Sequence, residues 1–405
     1  MSQKLKTVVC LFLIFCVYLI CADFSYAQTQ KQDHDWVWNI LVIPPQGGWE
    51  KEPGKSIRTA LSWCEREISE SSNGIGGHDV KFVSAPAPVS GEISVQDINL
   101  SIDSETIAVF SFSFSPEVDR VLVSRMSGRN IPLILAGGEN VLIDRGGRPI
   151  RNIFALDMYR DYRAAAFALY AKKIYPSEKR IALAASRFTV NQEREAKICY
   201  NFLDNEGFMP MPYWADASVR DSYEMMSEEI ESFEGDKAGV VISFMGSMGA
   251  REIWRNFMRL RTLWRLWNCA EPDKTYLSCR GMIFADQNIM LKNVGGFIET
   301  KRLLWRTRAM PIDDTVASGR AVTLYEWLKR AVELMPQPVD IMPRDLLLRN
   351  LERVHEIPFG NQKLTITPEL HRPSERDVFI VEVRNHEFEF VDEVKTRGLV
   401  YVPAY

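Results

Sequence analysis

Residues 36–285 repeat one pattern, in which an apolar strand is followed by a short loop rich in Gly, Ser or Pro and then by an amphipathic helix. Short strands separated by helices predict a parallel, doubly wound sheet. The pattern runs in two successive series, and the second starts near Asn152, after the turn-rich residues 146–149. Two series of similar layout predict an α/β fold of two Rossmann-like lobes, whose strand ends meet at a shared crevice where ligands bind.

Hydrophobic periodicity gives the elements of both series. The first series is predicted to contain four strands, Trp36–Ile43, Asp79–Val83, Thr106–Phe110 and Ile131–Leu135, and two helices, Lys55–Ser71 and Glu117–Ser127. The second is predicted to contain three strands, Arg180–Ala185, Met209–Tyr213 and Gly239–Phe244, and four helices, Tyr159–Ile174, Asn191–Asn205, Arg220–Phe233 and Ala250–Trp267.

The last third of the chain breaks this pattern. Two predicted helices precede three predicted strands: Thr315–Met335, Arg344–His355, Gly360–Thr367, Val378–Val383 and Glu387–Val394. Such an ending cannot extend a simple series of parallel strands and helices. We therefore expect the chain to return to the first lobe for its helices and to cross to the second lobe for its hairpin.

These expectations give the predicted division into lobes. The first lobe would comprise residues 36–151 and 287–355, and the second would comprise residues 152–286 and 356–405. Several crossings between two lobes would form a multi-strand hinge.

Residues 1–27 have the features of a cleavable export signal. Two lysines near the start precede an apolar core, Val8–Ile20, and Ala27 ends a site of small residues. The core is shorter than the roughly 20 residues of a typical membrane-spanning helix. We expect cleavage after Ala27, a mature protein in the periplasm and no stable membrane insertion afterwards. An uncleaved anchor and lipidation at Cys21 are the alternatives.

The composition argues against several classes of function. The formal net charge is -4 at pH 7, whereas a nucleic-acid-binding surface requires an excess of positive charge. The content of 46% hydrophobic and 25% charged residues is that of an ordinary globular protein. The five histidines are scattered, and no Cys/His spacing resembles a zinc site. We therefore expect neither a metal nor a cofactor, and no nucleic-acid partner.

Four cysteines would remain after cleavage of the signal. Cys269 and Cys279 flank the polar loop Ala270–Ser278, and an oxidising compartment favours a local disulfide between them. The alternative is a pair of free thiols. Cys64 and Cys199 lie in helical patterns, where we expect them to be small buried side chains.

Several short segments carry a resemblance to a known family. They are Pro53–Ser56, Ser72–His78, Asp79–Ala85, Asn130–Ile134, Asn152–Phe154, Ser318–Ala331, Phe359–His371 and Val378–Val391. In this order and spacing they resemble the type I periplasmic binding proteins, particularly the leucine/isoleucine/valine-binding branch. The resemblance covers nearly the whole mature chain. It implies a secreted subunit that closes two lobes on a small ligand and presents the closed form to an ABC permease.

Serine hydroxyls cluster before the predicted helix that opens at Pro116. Hydroxyls and free backbone amides at a helix start can hold a carboxylate, because the helix N-terminus carries partial positive charge. The resemblance implies that this loop holds the carboxylate of the ligand, with Ser113 and Ser115 as contacts. The alternative is helix capping alone, with Ser115 as the N-cap.

The next strand-end loop of the first lobe contains Gly137, Gly138 and Glu139. The two glycines keep the backbone approachable for a ligand. Glu139 stands where the family usually has a hydroxyl, and its carboxylate would favour a ligand amine or amide. A solvated surface glutamate is the alternative.

The second lobe offers five candidate ligand contacts at its predicted strand ends: Arg187, Phe188, Gly246, Ser247 and Asp286. At the first of these loops the resemblance implies an aromatic–Gly pair, which this chain lacks unless Phe188 supplies the aromatic ring. Arg187 could pair with an anionic ligand through two hydrogen bonds. The alternative is an exposed arginine bonded to a neighbouring helix or loop.

The predicted helix Arg251–Trp267 interleaves arginines with aromatic and aliphatic side chains. A basic amphipathic helix could lie on a membrane surface or dock a partner. A core-facing apolar stripe with a solvated arginine face explains the same spacing.

Together these observations predict a non-enzymatic solute-binding protein for an amino acid, an amide or a comparable small polar metabolite. A phosphate-binding loop at Gly54-Lys55-Ser56 is excluded, because the motif requires a glycine five positions before Gly54 and Trp49 stands there. Three alternatives stay open: a ligand-sensing receptor subunit of the same fold, a secreted α/β enzyme working in the crevice, and a partner-binding member that has lost its ligand.

Overall fold

The structure is a computed structural model. It describes residues 37–70, 74–86, 102–138, 141, 143–145, 148–158, 161–175, 180–187, 190–215, 220–232, 239–270, 272, 274–286, 315–337, 339, 341–359, 362–373 and 377–396. In these residues, two large and mainly parallel β-sheets are covered by helices, which confirms the predicted α/β class. The predicted export signal lies outside the described residues.

The strands, in chain order, are β1 Trp38–Ile43, β2 Val80–Ser84, β3 Thr106–Ser111, β4 Leu133–Leu135, β5 Asp144–Arg145, β6 Arg148–Pro149, β7 Ile153–Ala155, β8 Ile181–Ser186, β9 Pro210–Ala215, β10 Val240–Ser243, β11 Arg265–Asn268, β12 Ile283–Asp286, β13 Ile357–Phe359, β14 Gln362–Leu364, β15 Asp377–Arg384 and β16 Glu387–Lys395. The helices are α1 Gly54–Glu70, α2 Pro116–Met126, α3 Asp161–Ile174, α4 Val190–Asn205, α5 Arg220–Ser232, α6 Ser247–Leu260, α7 Thr315–Glu333 and α8 Arg344–Leu351. None of the helices in this part of the chain is both long enough and apolar enough to cross a membrane.

The first sheet has the strand order β2-β1-β3-β4-β7, with every neighbouring pair parallel. Strands β1, β3, β4 and β7 are buried on both faces, whereas the edge strand β2 is partly exposed. Ile40 and Phe110 point into a core formed with α1 and α7, and Leu41 and Val109 point into a second core formed with α2. Because both faces are covered, these strands read in the sequence as continuous apolar runs rather than as alternating ones.

The second sheet has the order β16-β15-β12-β11-β10-β8-β9. The strands from β8 to β12 are parallel, and the hairpin of β15 and β16 adds to one edge in antiparallel orientation. Helices α3 and α4 supply side chains to the core on one face, and α5 and α6 supply them to the core on the other. This sheet is therefore a second doubly wound unit.

The last third of the chain divides between the two sheets, as the sequence predicts. Helix α7 packs on α1, and the Ser318 hydroxyl donates to the carbonyl oxygen of Ser56 at 3.1 Å. Strand β15 pairs with β12, with Ala285 opposite Ile380. The chain therefore returns to the first sheet for its helices before it joins the second sheet.

Two placements differ from the predicted lobe ranges. Strand β7 follows residue 151, yet it pairs with β4 in the first sheet. Ile357 and Leu364 follow residue 355, yet their side chains lie in the core that the first sheet forms with α1 and α7. The described chain thus passes to the second sheet after Ala155, not before it. The boundaries of the lobes as units that move separately stay a prediction.

The predicted helix Ala250–Trp267 is wrong in its second half. Helix α6 ends at Leu260, where Arg261 has a left-handed backbone (φ 55°) and caps the helix. The chain then enters β11, along which successive side chains alternate between the two cores: Leu266 lies in one and Trp267 in the other. The apolar residues after Arg261 therefore follow strand spacing.

Two of the three arginines of α6 pair with acidic neighbours, and Arg251 donates to the carbonyl oxygen of Ser247. Arg259 forms an ion pair with Glu224 of α5 at 2.6 Å, and Arg255 pairs with Glu252 one turn away. The opposite face, including Ile253 and Phe257, is buried in the core. These contacts favour the core-facing helix with a solvated arginine face over a membrane-binding one.

The predicted disulfide between Cys269 and Cys279 is contradicted by the structure, in which the two sulfur atoms are not bonded to each other. Cys269 follows β11 and points into the core that contains Trp267 and Cys199, whereas Cys279 lies in the core on the other face of the sheet. The sheet therefore separates the two sulfur atoms. Burial raises the pKa of Cys199 and of Cys279, which lowers the reactivity of both thiols.

Gly54 provides a test of the packing around the start of α1. A Cβ atom there would overlap the carbonyl oxygen of Gly48 and lie 3.0 Å from the Cα atom of Trp49. Because these are backbone atoms, we expect Gly54→Ala to lower the free energy of unfolding in urea by about 1–3 kcal/mol. Gly47→Ala is the matched control, since its Cβ would meet Lys51 at 3.5 Å. Equal effects of the two substitutions would contradict this account.

Candidate functional site

The carboxyl ends of parallel strands share one edge of a sheet, and the loops after β3, β4 and β7 therefore lie together. Gly137 marks the point where they meet. A Cβ atom built there would lie 3.5 Å from the Phe114 ring, 3.4 Å from the Arg320 guanidinium and 3.8 Å from the Asp157 carboxylate. Ligands bind at this edge in open α/β sheets, so these side chains define the first-lobe part of the candidate site.

The serine hydroxyls after β3 are engaged by a carboxylate of the protein itself. Ser111 and Ser113 are buried, and both donate to Oδ1 of Asp119 in helix α2, at 2.8 and 2.6 Å. Ser115 is the N-cap of α2: its hydroxyl accepts from the amide of Val118 at 3.4 Å. The capping role of Ser115 is confirmed. Contact of Ser113 or Ser115 with a ligand stays a prediction.

Burial raises the pKa of the Asp119 carboxyl to about 6, although the hydrogen bonds from Ser113 and Ser111 oppose this shift. Sequence reasoning missed Asp119. The signal that could have indicated it is the spacing of Ser111, Ser113 and Ser115, since residues two apart on an extended chain point to the same side.

A buried ion pair holds the loops after β4 and β7. Arg320 of α7 lies 3.1 Å from the Asp157 carboxylate and donates to the carbonyl oxygen of Ala136 at 3.1 Å. Arg372 donates to the carbonyl oxygens of Asp157 and Gly138 at 3.1 and 3.3 Å. Gly137 and Gly138 are thus placed by two arginines that sequence reasoning did not single out. The sequence does contain a signal for Arg320, because it is a charged residue within the otherwise small and apolar start of α7.

In the second sheet, the loop after β8 presents Arg187. Its side chain is exposed, and its guanidinium carbon lies 5.4 Å from the centre of the Trp214 ring in β9. This distance is typical of a cation–π contact. The arginine therefore stacks on an aromatic neighbour while its charge stays accessible to an anion.

Gly246 and Ser247 are exposed at the start of α6, directly after β10. Gly246 is the N-cap, and the first turn of α6 contains no acidic residue. Its amides therefore point toward the strand-end edge with the partial positive charge of a helix N-terminus. The predicted contact of these residues with a ligand is untested.

Asp286, at the end of β12, is buried rather than open to a ligand. Its carboxylate lies 3.5 Å from the guanidinium of Arg163 in α3, and both side chains are almost completely removed from solvent. A cation of the protein thus already neutralises this carboxylate. The remaining candidates, Glu139 and Phe188, lie outside the described residues. Among the residues that are described, no cluster of His, Cys, Asp or Glu could hold a metal ion.

Comparison with solved structures identifies the fold. A substrate-binding protein of an ABC transporter from Desulfitobacterium hafniense, in complex with Leu, has a TM-score of 0.68 and 12% identity over 88% of this chain and 99% of that one. The leucine-binding protein LivK from Thermotoga maritima has a TM-score of 0.66 and 13% identity over 89% and 99%. A solute-binding protein from R. palustris, in complex with benzoate, has a TM-score of 0.64 and 12% identity over 88% and 96%.

These likenesses confirm the predicted fold, the two-lobed α/β fold of the type I periplasmic binding proteins. The shared identity is too low to show more than the fold. No protein-family model matches the sequence, and no curated protein matches it.

The raised pKa of Asp119 predicts a measurable pH dependence. A carboxyl whose pKa is about 6 in the folded chain and 3.8 when unfolded stabilises the fold below pH 3.8, and this contribution is lost as the pH rises through 6. Asp119→Asn keeps an acceptor for Ser111 and Ser113 but cannot ionise. Relative to the unaltered protein, this variant should therefore gain up to about 3 kcal/mol of unfolding free energy between pH 4 and pH 7.

Urea denaturation at several pH values in this range measures the difference. Ser115→Ala is the control: it removes the helix cap and should cost about the same, about 1 kcal/mol, throughout the range in which Asp119 titrates and Glu117 is ionised, because Asp119 stays in place. A difference between Asp119→Asn and the unaltered protein that does not vary with pH would contradict the assignment.

The pair of Arg320 and Asp157 predicts a large stability effect. Arg320→Met removes one partner of this buried ion pair and should lower the unfolding free energy by about 3–5 kcal/mol. Arg151→Met, which removes the exposed partner of Asp345, is the matched control and should cost less than about 1 kcal/mol. Adding Asp157→Leu to Arg320→Met should restore part of the loss in thermal or urea denaturation. A further decrease in the double variant would show that the two side chains do not act as a pair.

Proposed function

We propose that this protein binds a small organic solute between its two lobes and delivers it to an ABC permease. The observation that carries the proposal is the fold, which matches substrate-binding proteins of ABC transporters over nearly their whole length. The predicted export signal supports a periplasmic location, where such a protein would meet its solute. The activity is capture and release, without a chemical step.

The two sheets supply the means of capture. Each is parallel around its central strands, so each presents its strand-end loops at one edge. Consecutive described elements belong to different sheets at three places along the chain: β7 is followed by α3, β12 by α7, and β14 by β15. We propose that these crossings form the hinge, and that closure removes the solute from water and strengthens its polar contacts.

The proposed solute carries a carboxylate. The Desulfitobacterium and R. palustris structures hold Leu and benzoate, and both of these ligands contain one. In this chain the hydroxyls of Ser111 and Ser113 already donate to Asp119. We therefore assign the carboxylate to the second lobe, where Arg187 has an accessible charge and the start of α6 offers amides.

Native mass spectrometry of the protein purified from its host tests the proposal. A co-purified small molecule, bound in a one-to-one ratio and recovered unchanged, is the expected result. Small-angle X-ray scattering with this molecule should show a smaller radius of gyration than without it, because the lobes close. Turnover of the bound molecule would contradict the proposal. It would also be contradicted if no molecule co-purifies and no amino acid, amide or organic acid raises the melting temperature.

Arg187 provides a test of the carboxylate contact. Arg187→Met should weaken binding of the co-purified carboxylate by at least tenfold, since a charge-assisted hydrogen bond contributes about 1.5–3 kcal/mol. Isothermal titration calorimetry measures the change. Arg259→Met is the control, because Arg259 is also exposed but pairs with Glu224 at the far end of α6. Equal affinities of the two variants would remove Arg187 from the site.

A further inference from the structure

Arg372 is a buried arginine, 1% exposed, in the segment that leads from β14 to β15 of the second sheet. Its guanidinium donates to the backbone carbonyl oxygens of Gly138, Val141 and Asp157, at 3.3, 3.0 and 3.1 Å. A guanidinium is planar and has five N–H donors in fixed directions, so it can hold several acceptors in one relative arrangement. Arg372 therefore joins three separate segments of the chain: the loop after β4, the loop after β7 and the segment before β15.

His371 fastens the same segment to β7 of the first sheet. Its carbonyl oxygen accepts from the amide of Ala155 at 3.0 Å, and its ring stacks on Phe154 with the ring centres 4.5 Å apart. Its Nε2 atom lies 3.1 Å from the carboxylate of Glu352, directly after α8. The backbone of His371 has a φ angle of 54°, in the left-handed region, which a residue other than glycine keeps where surrounding contacts hold it. The chain is thus fixed to the first sheet up to Arg372.

Two of the crossings between the sheets are therefore in contact. One leads from β7 through Asp157 to α3, the other leads from Arg372 to β15, and the hydrogen bond from Arg372 to the Asp157 carbonyl oxygen joins them. Strand β15 begins at Asp377, four residues after Pro373, so the Cα atoms of these two residues are at most about 14 Å apart. A rotation of the second sheet relative to the first would thus act on the chain close to Arg372, and through Arg372 on the loop after β4.

We propose that Arg372 is a positioning residue that couples the loop after β4 to the crossings between the two sheets, so that closure of the lobes and the placement of Gly138 depend on each other. The inference rests on the proposed function and adds the residue through which solute capture is linked to closure. Because its side chain is buried, Arg372 acts through the backbone and not on the solute. Such a coupling is reciprocal: if closure repositions the loop, a solute held by the loop favours closure.

The first test compares affinities for a solute. Arg372→Met removes the hydrogen bonds to the three carbonyl oxygens, and Arg372→Lys keeps the charge but replaces the planar group by a single ammonium. Isothermal titration calorimetry measures binding of L-leucine, L-glutamine, benzoate and any molecule that co-purifies, at a temperature at which every variant is folded. Arg372→Met should weaken binding about tenfold, within the range typical of coupling between sites. Arg372→Lys should weaken it by about threefold, since one ammonium cannot hold three carbonyl oxygens in the same arrangement.

Ile230→Ala is the control for lost stability. Ile230 is completely buried in the last turn of α5, in a core of the second sheet, so its truncation leaves a cavity and destabilises the fold. The last turn of the helix that follows a parallel strand lies at the edge of the sheet opposite to the strand-end loops. Ile230→Ala should therefore leave the affinity within about twofold of the unaltered protein, because distant sites act independently.

The second test measures closure, which a merely structural role would leave unchanged. Small-angle X-ray scattering gives the decrease in radius of gyration between the solute-free and the solute-saturated protein. This decrease should be smaller in Arg372→Met than in the unaltered protein, because the loop is no longer linked to the crossings, and it should be complete in Ile230→Ala. If Arg372→Met does not fold, Arg372→Lys decides, with the weaker binding given above and a smaller decrease than in Ile230→Ala.

The outcomes distinguish this inference from the proposed function. If the Arg372 variants match Ile230→Ala in affinity and in closure, the role of Arg372 is purely structural, and the inference is overturned while the proposed function stands. The same holds if binding weakens but the full decrease in radius of gyration remains, because Arg372 then does not link the loop to closure. If the unaltered protein binds no probe and no molecule co-purifies, the proposed function is wrong and the inference fails with it.

Discussion

The buried ion pair between Arg320 and Asp157 is the interaction on which the candidate site depends. Removing two charges from water costs more than their attraction returns unless further hydrogen bonds are formed. Here Arg320 also donates to the carbonyl oxygen of Ala136, and Arg372 donates to that of Asp157. The pair therefore ties the loops after β4 and β7 to helix α7. The fixed guanidinium in turn supports the ring of Phe114.

The second sheet contains a comparable pair at the corresponding edge. Asp286 ends β12, the last of the parallel strands in the order of that sheet, and Arg163 of α3 lies beside it in a buried position. Asp157 likewise follows β7, the last strand in the order of the first sheet. Each sheet thus anchors one strand end to a helix through a buried Asp–Arg pair. Movement between the lobes would then be confined to the crossing segments, because the strand ends themselves are held rigidly.

Local patterns in the sequence were enough to predict most of the fold. Strand β8 was predicted within one residue at each end, and the cap of α2 follows from Ser115-Pro116. The predicted helix through Trp267 failed because apolar spacing does not reveal the left-handed turn at Arg261. The site was harder to predict, since Arg320 and its partner Asp157 are far apart in the chain. Spacing contains no information about which distant carboxylate a buried arginine will meet.

Asp119 changes what the first lobe can offer to a solute. A serine hydroxyl has one proton to donate, and those of Ser111 and Ser113 are directed at the same carboxylate oxygen. An incoming carboxylate would have to displace Asp119 or find its donors elsewhere. In the proposed site it finds these donors on the second lobe, at Arg187 and at the start of α6. The first lobe would then supply the remaining contacts of the solute, and closure would complete the site.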